Sequence, residues 1–135
     1  MNGKELLRAA TAARENAYTP YSGFAVGAAL LGKSGRLYTG CNVENAAFTP
    51  TCCAERVALF HAVAEGERAF SAIAVVGGPA GAPPRRRCAP CGVCRQALSE
   101  FSPDGALVVY LGQEEAPEAH TLAELLPCSF GQADL

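Results

Sequence analysis

Two cysteine groups constrain this chain more than any other feature: CAE at Cys53 to Glu55, and PCGVC at Pro90 to Cys94, with 37 residues lying between Cys53 and Cys91. Each group opens a stretch with helical periodicity, so a fold that uses the cysteines together must bring two helix starts face to face. Zinc takes deprotonated thiolates, and helix N-termini favour them through their free N–H groups and macrodipole. Cys91 and Cys94 stand three apart, on one side of a first helical turn, while Cys53 arrives from the other helix. Three protein ligands leave the fourth zinc position open to water, which separates a catalytic site from a structural one. Glu55, two residues beyond a ligand, is placed to take a proton from that water and pass protons onward as general acid.

Each piece alone has a plainer reading. A CxxC that opens a helix also serves as a redox pair, and an acidic residue suits a first turn for dipole reasons alone. A structural site of four cysteines would need Cys52 or Cys88. Cys52 and Cys53 are adjacent, without the two-to-four-residue gap of a structural ligand pair. The chain has seven cysteines, an odd number, and its start MNGKELLRAATAAREN carries charges every few residues with no continuous apolar stretch. Neither a disulfide framework, a signal peptide nor a membrane span is expected, and the expected location is the cytoplasm, where clustered cysteines are metal ligands or catalytic groups. With 135 residues, 50% of them hydrophobic, one core and a single domain over 1–135 are expected. Charged residues make up 18% and the net charge is -2, so there is no positive field to hold a nucleic acid.

Along the chain, Leu6, Leu7, Ala10, Ala13 and Ala17 recur at helical spacing and predict an amphipathic helix over 4–17 that stops before Pro20. The apolar run Phe24 to Leu31, the turn residues Gly32 to Gly35 and the segment Arg36 to Asn42 predict a hairpin. A second helix follows Pro50 and ends near Gly66; Phe70 to Val76 reads as a buried strand. The stretch Gly77 to Ala89 is rich in glycine and proline and is expected to be a loop. A helix from about Cys91 to Phe101, a strand over Ala106 to Leu111 and a short helical TLAELLP complete the pattern. The order α-β-β-α-β-α-β fits a sheet between helical layers.

AYTPYSGFAVGAAL, GCNVEN, CAER, PCGVCRQ and LLPCSFG occur in this order across nearly the whole chain. With them the chain resembles the small, three-cysteine, zinc-dependent cytidine deaminases. The resemblance implies an α/β three-layer α/β/α sandwich with a mixed five-stranded sheet, one Zn2+ per subunit and a homotetramer. It implies hydrolysis of cytidine, and of 2′-deoxycytidine, to the uridine product and ammonia in pyrimidine salvage, with Glu55 carrying the protons between water, ring nitrogen N3 and the leaving amine. It also implies that Phe24 packs on the pyrimidine, that Asn42 and Glu44 hydrogen-bond the ribose hydroxyl, that Ala54 contacts substrate, and that Phe130 closes over the base of a neighbouring subunit. The chemistry suits these roles: a neutral ring takes an aromatic face, and a sugar hydroxyl donates to a carboxylate and pairs with an amide. Arg56 has an electrostatic role in the same picture. Three thiolates and one zinc sum to -1, and donors to the sulfurs restore Lewis acidity.

The chain departs from the family pattern at two places. Phe48 stands where tyrosine is usual, which removes a hydroxyl from the ribose 5′ side. The loop from Gly77 to Ala89 is longer than usual and carries Arg85, Arg86, Arg87 and Cys88. It reads first as a solvated basic loop, and second as a phosphate-attracting mouth. Rival functions are a deaminase of a modified nucleoside such as a blasticidin-type antibiotic, a polynucleotide deaminase and a non-catalytic zinc-stabilised module. Asn42, Glu44 and Phe130 favour the ordinary nucleoside, and polynucleotide deaminases usually have histidine at the position of Cys53. Cys41, Cys52, Cys88 and Cys128 are expected to be buried and unreactive.

Overall fold

The computed structural model describes residues 1–135. In chain order the elements are α1 (Gly3–Arg14), β1 (Phe24–Gly32), β2 (Leu37–Cys41), α2 (Ala54–Ala64), β3 (Phe70–Pro79), α3 (Gly92–Ser99), β4 (Val108–Gln113), β5 (Ala116–Thr121), α4 (Leu122–Leu125) and a 3-10 turn (Gln132–Asp134). The strands form one sheet in the order β2-β1-β3-β4-β5. Only β3 and β4 run parallel, and α3 lies in the crossover between them, as a parallel pair requires.

β1 and β3 are apolar at nearly every position because both faces of the sheet are covered. Ala28 and Leu30 of β1 and Ile73 and Val75 of β3 pack with Ala58, Leu59 and Ala62 of α2 and Leu98 of α3. From the opposite face, Ala29, Ala72, Ala74 and Val76 meet Leu6, Leu7 and Ala10 of α1. The architecture is the expected α/β/α sandwich with a mixed five-stranded sheet. Small residues let the helices come very close: a Cβ on Gly40 of β2 would lie 2.5 Å from the Ala54 carbonyl oxygen. The start of α2, which carries Cys53 and Glu55, is therefore seated on the strand by backbone packing, where no side chain could intervene.

Three local expectations differ from the structure. The first helix ends at Arg14 rather than residue 17, and an Asn2–Glu5 capping box fixes its start. β3 runs on through Gly77, Gly78 and Pro79, which pair with Val26, Ala25 and Phe24; a complete antiparallel partner overrides their poor strand propensity, and Pro79 falls at the strand end where no donor is needed. β5 (APEAHT) left no alternating pattern to read, since it is a mostly exposed edge strand paired to β4 alone. No helix is long and apolar enough to cross a membrane.

Candidate active site

Cys53 and Cys91 are the N-cap residues of α2 and α3, both with extended backbone, and neither side chain caps its helix. Their sulfurs are thereby free to meet that of Cys94, one turn into α3. The three Sγ atoms lie within 4.8 Å of one another, with Cys53 and Cys91 3.8 Å apart. Tetrahedral Zn–S bonds of about 2.3 Å would set sulfurs about 3.8 Å apart, so the donor set fits a zinc ion in both chemistry and spacing. The Arg56 guanidinium donates from Nη2 to Cys53 Sγ at 3.5 Å, and its Nε is buried without a partner. The Cys94 thiol hydrogen bond, helped by Arg56 and Cys91, outweighs burial and lowers Cys53 to about 5. Cys94 is pushed up in return, because it donates to Cys53 and is buried.

Glu55 points into the protein and is 3% exposed. Burial, more than the nearby Cys53 charge, raises its carboxyl above the usual carboxylate range, while a hydrogen bond with Cys94 opposes the shift. A carboxyl so placed holds a proton at higher pH than a free one, as a group that both accepts and returns protons must. Arg56 stands with the cysteines, and Ala54, wholly buried between Cys53 and Glu55, completes this half of the site.

The second half gathers around Phe24 at the start of β1. Asn42 follows the end of β2; its Oδ1 accepts from Val26 N at 2.9 Å and its Nδ2 donates to Phe24 O at 2.9 Å. The amide thus locks the strand beneath Phe24, leaving a second N–H and lone pairs for a ligand. Glu44 accepts from Tyr21 N at 3.0 Å, Ser22 N at 3.1 Å and the Ser22 hydroxyl. The Ser22 hydroxyl, then the Ser22 amide, hold its carboxyl below the usual range, so it is ionised and aimed. Cys88 joins the two halves. A Cβ on Gly77 would lie 2.6 Å from its sulfur and 3.0 Å from the Phe24 ring, and its thiol is raised to about 11 by burial and then by the charge of Glu55.

Phe130 is 60% exposed and lines a cavity of about 330 Å³ between the end of α3 and the tail, a cavity that contains neither Glu55 nor the clustered cysteines. Phe24 does not line that cavity either. Phe48 is 71% exposed at a left-handed backbone position, edge-on to Tyr21. The basic loop is not simply solvated: the Arg85 guanidinium lies over the Phe24 ring, 5.2 Å from its centroid, and Arg87 pairs with Glu118. Cys91 and Cys128 are exposed, and Cys41, Cys52 and Cys88 are half-buried, so the expectation of buried thiols fails at Cys128 and is met only in part at the other three.

Sequence reasoning missed three supporting residues. Ser22 aims Glu44. Arg95 ties the cysteine loop to α4 by donating to Pro90 O and Leu125 O, both at 2.7 Å. Arg14 binds the far end of β3. Arg14 left a readable trace, since it continues the apolar phase of Leu7 and Ala10 where a charge is out of place.

A sequence profile of the cytidine and deoxycytidylate deaminase zinc-binding region matches residues 1–111. The chain is 46% identical to a cytidine deaminase of Sporosarcina psychrophila, over 100% of this chain and 96% of that one, and 46% identical to one of Halalkalibacterium halodurans, over 100% and 98%. Its structure resembles a cytidine deaminase of Burkholderia pseudomallei with a TM-score of 0.86 and 45% identity, covering 96% of this chain and 100% of that one. A cytidine deaminase of Mycobacterium tuberculosis gives a TM-score of 0.81 at 38% identity, over 97% and 98%. With this sheet and this thiol cluster, the likenesses define an enzyme of the hydrolytic deaminase class with a zinc-binding region. Within that class the chain belongs to the cytidine and deoxycytidylate deaminase family.

Proposed function

We propose that this protein hydrolyses free cytidine and 2′-deoxycytidine to the corresponding uridine and ammonia, as a pyrimidine-salvage enzyme of the cytoplasm. It acts as a homotetramer of single-domain subunits spanning residues 1–135, each with one zinc ion held by Cys53, Cys91 and Cys94. The observation that carries the reading is the convergence of three sulfurs within 4.8 Å next to the buried carboxyl of Glu55. The chemistry supplied by bound zinc is Lewis acidity, which makes water acidic near neutral pH.

The residues supply the rest. Phe24 offers an aromatic face to the pyrimidine, and Glu44, already ionised and fixed by Ser22 and Tyr21, accepts from a ribose hydroxyl with Asn42 beside it. Ala54, wholly buried between ligand and acid, bounds the space at the reacting carbon. Glu55 takes a proton from the attacking water as the oxygen adds to C4, and gives that proton to N3. It then takes the remaining hydroxyl proton and delivers it to the amino group; the C4–N bond breaks and ammonia leaves. Burial raises the Glu55 carboxyl above the usual carboxylate range, which favours its taking the proton in the first transfer. Arg56 holds the Cys53 sulfur by its guanidinium and draws charge from an electron-rich cluster. Phe130, exposed in one chain, closes the base site of a neighbour.

The non-catalytic zinc module is set aside by membership of an enzyme family. Among substrates, Glu44 and Asn42 favour an unmodified ribose. The test is uridine formation from cytidine by the purified protein, with zinc counted per chain. Turnover at one zinc per chain supports the reading; one zinc per chain with cytidine and deoxycytidine untouched overturns the substrate and leaves the metal site.

A further inference from the structure

Arg14 closes α1, a residue only 4% exposed with no carboxylate paired to it. A buried cation is tolerable only when its donors are met, and here main-chain carbonyls meet them. Nε donates to Ala25 O at 2.8 Å, Nη1 to Ala82 O at 2.8 Å, and Nη2 to Gly78 O at 2.9 Å and Pro79 O at 2.7 Å. These acceptors belong to the start of β1, the end of β3 and the loop beyond it. A rigid planar fork spans three segments at once, which the single point of a lysine ammonium cannot do.

The segment that Arg14 grips turns back towards Phe24. Arg85 N donates to Gly77 O at 2.8 Å, and its guanidinium lies over the Phe24 ring. Cys88 lies over Gly77 beside the same ring. Gln113 adds a second tether from β4, donating to Pro84 O at 3.0 Å. α1 covers the face of the sheet opposite α2 and α3, so its grip reaches the Phe24 side of the site, Cys88 included, and not Cys53, Cys91, Cys94 or Glu55.

We propose that Arg14 is a positioning residue for substrate binding: through residues 78–89, with Gln113 as a weaker tether, it sets where Arg85 and Cys88 stand against Phe24, and so the slot the base enters. This rests on the reading of Phe24 as the surface that receives the base. Arg14 itself touches no substrate. Its loss widens the slot without moving the proton-transfer groups, and the effect falls on KM rather than kcat.

Arg85, Arg86 and Arg87 are exposed, and they give trypsin three consecutive sites in the gripped segment. The test compares Arg14→Gln and Arg14→Lys with the parent, as zinc-loaded full chains, by kcat and KM for cytidine and by the rate of trypsin cleavage at 85–87. Arg14→Gln is expected to raise KM about tenfold with kcat within about twofold, and to speed cleavage about tenfold, with Arg14→Lys partly restoring both. A fall in kcat at unchanged KM, or a lower Tm with KM and cleavage both unmoved, overturns the proposal. Should the Arg14 variants fail to fold, Gln113→Ala frees the segment from a partly exposed position; it is expected to move KM and cleavage the same way by less, and no movement in either overturns the proposal. If the parent itself leaves cytidine untouched, the functional reading fails, while the cleavage rates still decide whether Arg14 holds the segment.

Discussion

The two halves of the site are built by opposite means. The thiol half stands on two helix starts, with Glu55 and Cys94 buried and the start of α2 pressed onto Gly40 of the sheet. The nucleoside half is made of strand ends and loops, with Phe48 and Phe130 largely exposed and Glu44 held by backbone amides. Groups that move protons need fixed geometry and a dry setting, and the first turn of α2, where Ala54 and Glu55 are buried, supplies both. A face that must admit and release a ligand is drawn from less protected backbone. On the proposed reading, the reacting half is complete in one chain and the binding half is finished by a neighbour.

That contrast can be broken most severely at the metal. Dialysis against a chelator is expected to remove all turnover and to lower Tm, with zinc restoring both; turnover that survives at zero zinc would refute a metal-dependent reacting half. Next is Glu55→Gln, expected to lower kcat by about 10²–10⁴ with zinc content and KM for cytidine little changed, measured by steady-state kinetics at matched zinc. On the other side of the comparison, Glu44→Gln is expected to raise KM about tenfold with kcat nearly kept, since it loses a charge-assisted hydrogen bond and no reacting group. An equal loss in kcat would mean that the halves are not separable.

The smallest effect lies where the halves meet. Burial, with the charge of Glu55, raises Cys88 to about 11, from an ordinary 9.0. Iodoacetamide near about pH 8 is expected to label exposed Cys128 and spare Cys88, with Cys88 labelling rising towards pH 11, read by peptide mass. The raised value also sets a sign for stability. The unfolded chain ionises this thiol first, so its contribution is full below 9.0 and is lost as pH climbs through about 11. Rapid labelling of Cys88 at neutral pH would place it outside the closed junction.

Legibility in the sequence divides along the same line. Cys53, Glu55, Cys91 and Cys94 carry their chemistry in short motifs at helix starts, where local spacing and tertiary geometry agree. The apolar run of β3 likewise declared a strand covered on both faces, and that of β1 the first strand of a hairpin. β5 could not be read, because an exposed edge strand with Pro117 has no alternation to show. Gly77 to Pro79 read as loop because their strand conformation comes from a distant partner, β1. Arg14 and Ser22 escaped for a related reason: a guanidinium on four carbonyls and a hydroxyl on a carboxylate are partnerships between segments that no window of sequence contains.

The claim that one half is complete in the chain and the other is shared can be tested by mixing two inactive variants. Glu55→Gln lacks the proton carrier, and Phe130→Ala lacks the residue proposed to close a neighbour's base site. Each is purified alone, and the two are then dissociated together and reassembled. The measured quantity is uridine formation by the mixture against the sum of the separate proteins. The account predicts activity well above that sum, because a chain with intact Glu55 receives Phe130 from its neighbour. A mixture no better than its parts, with hybrid assembly verified by native mass spectrometry, would contradict it.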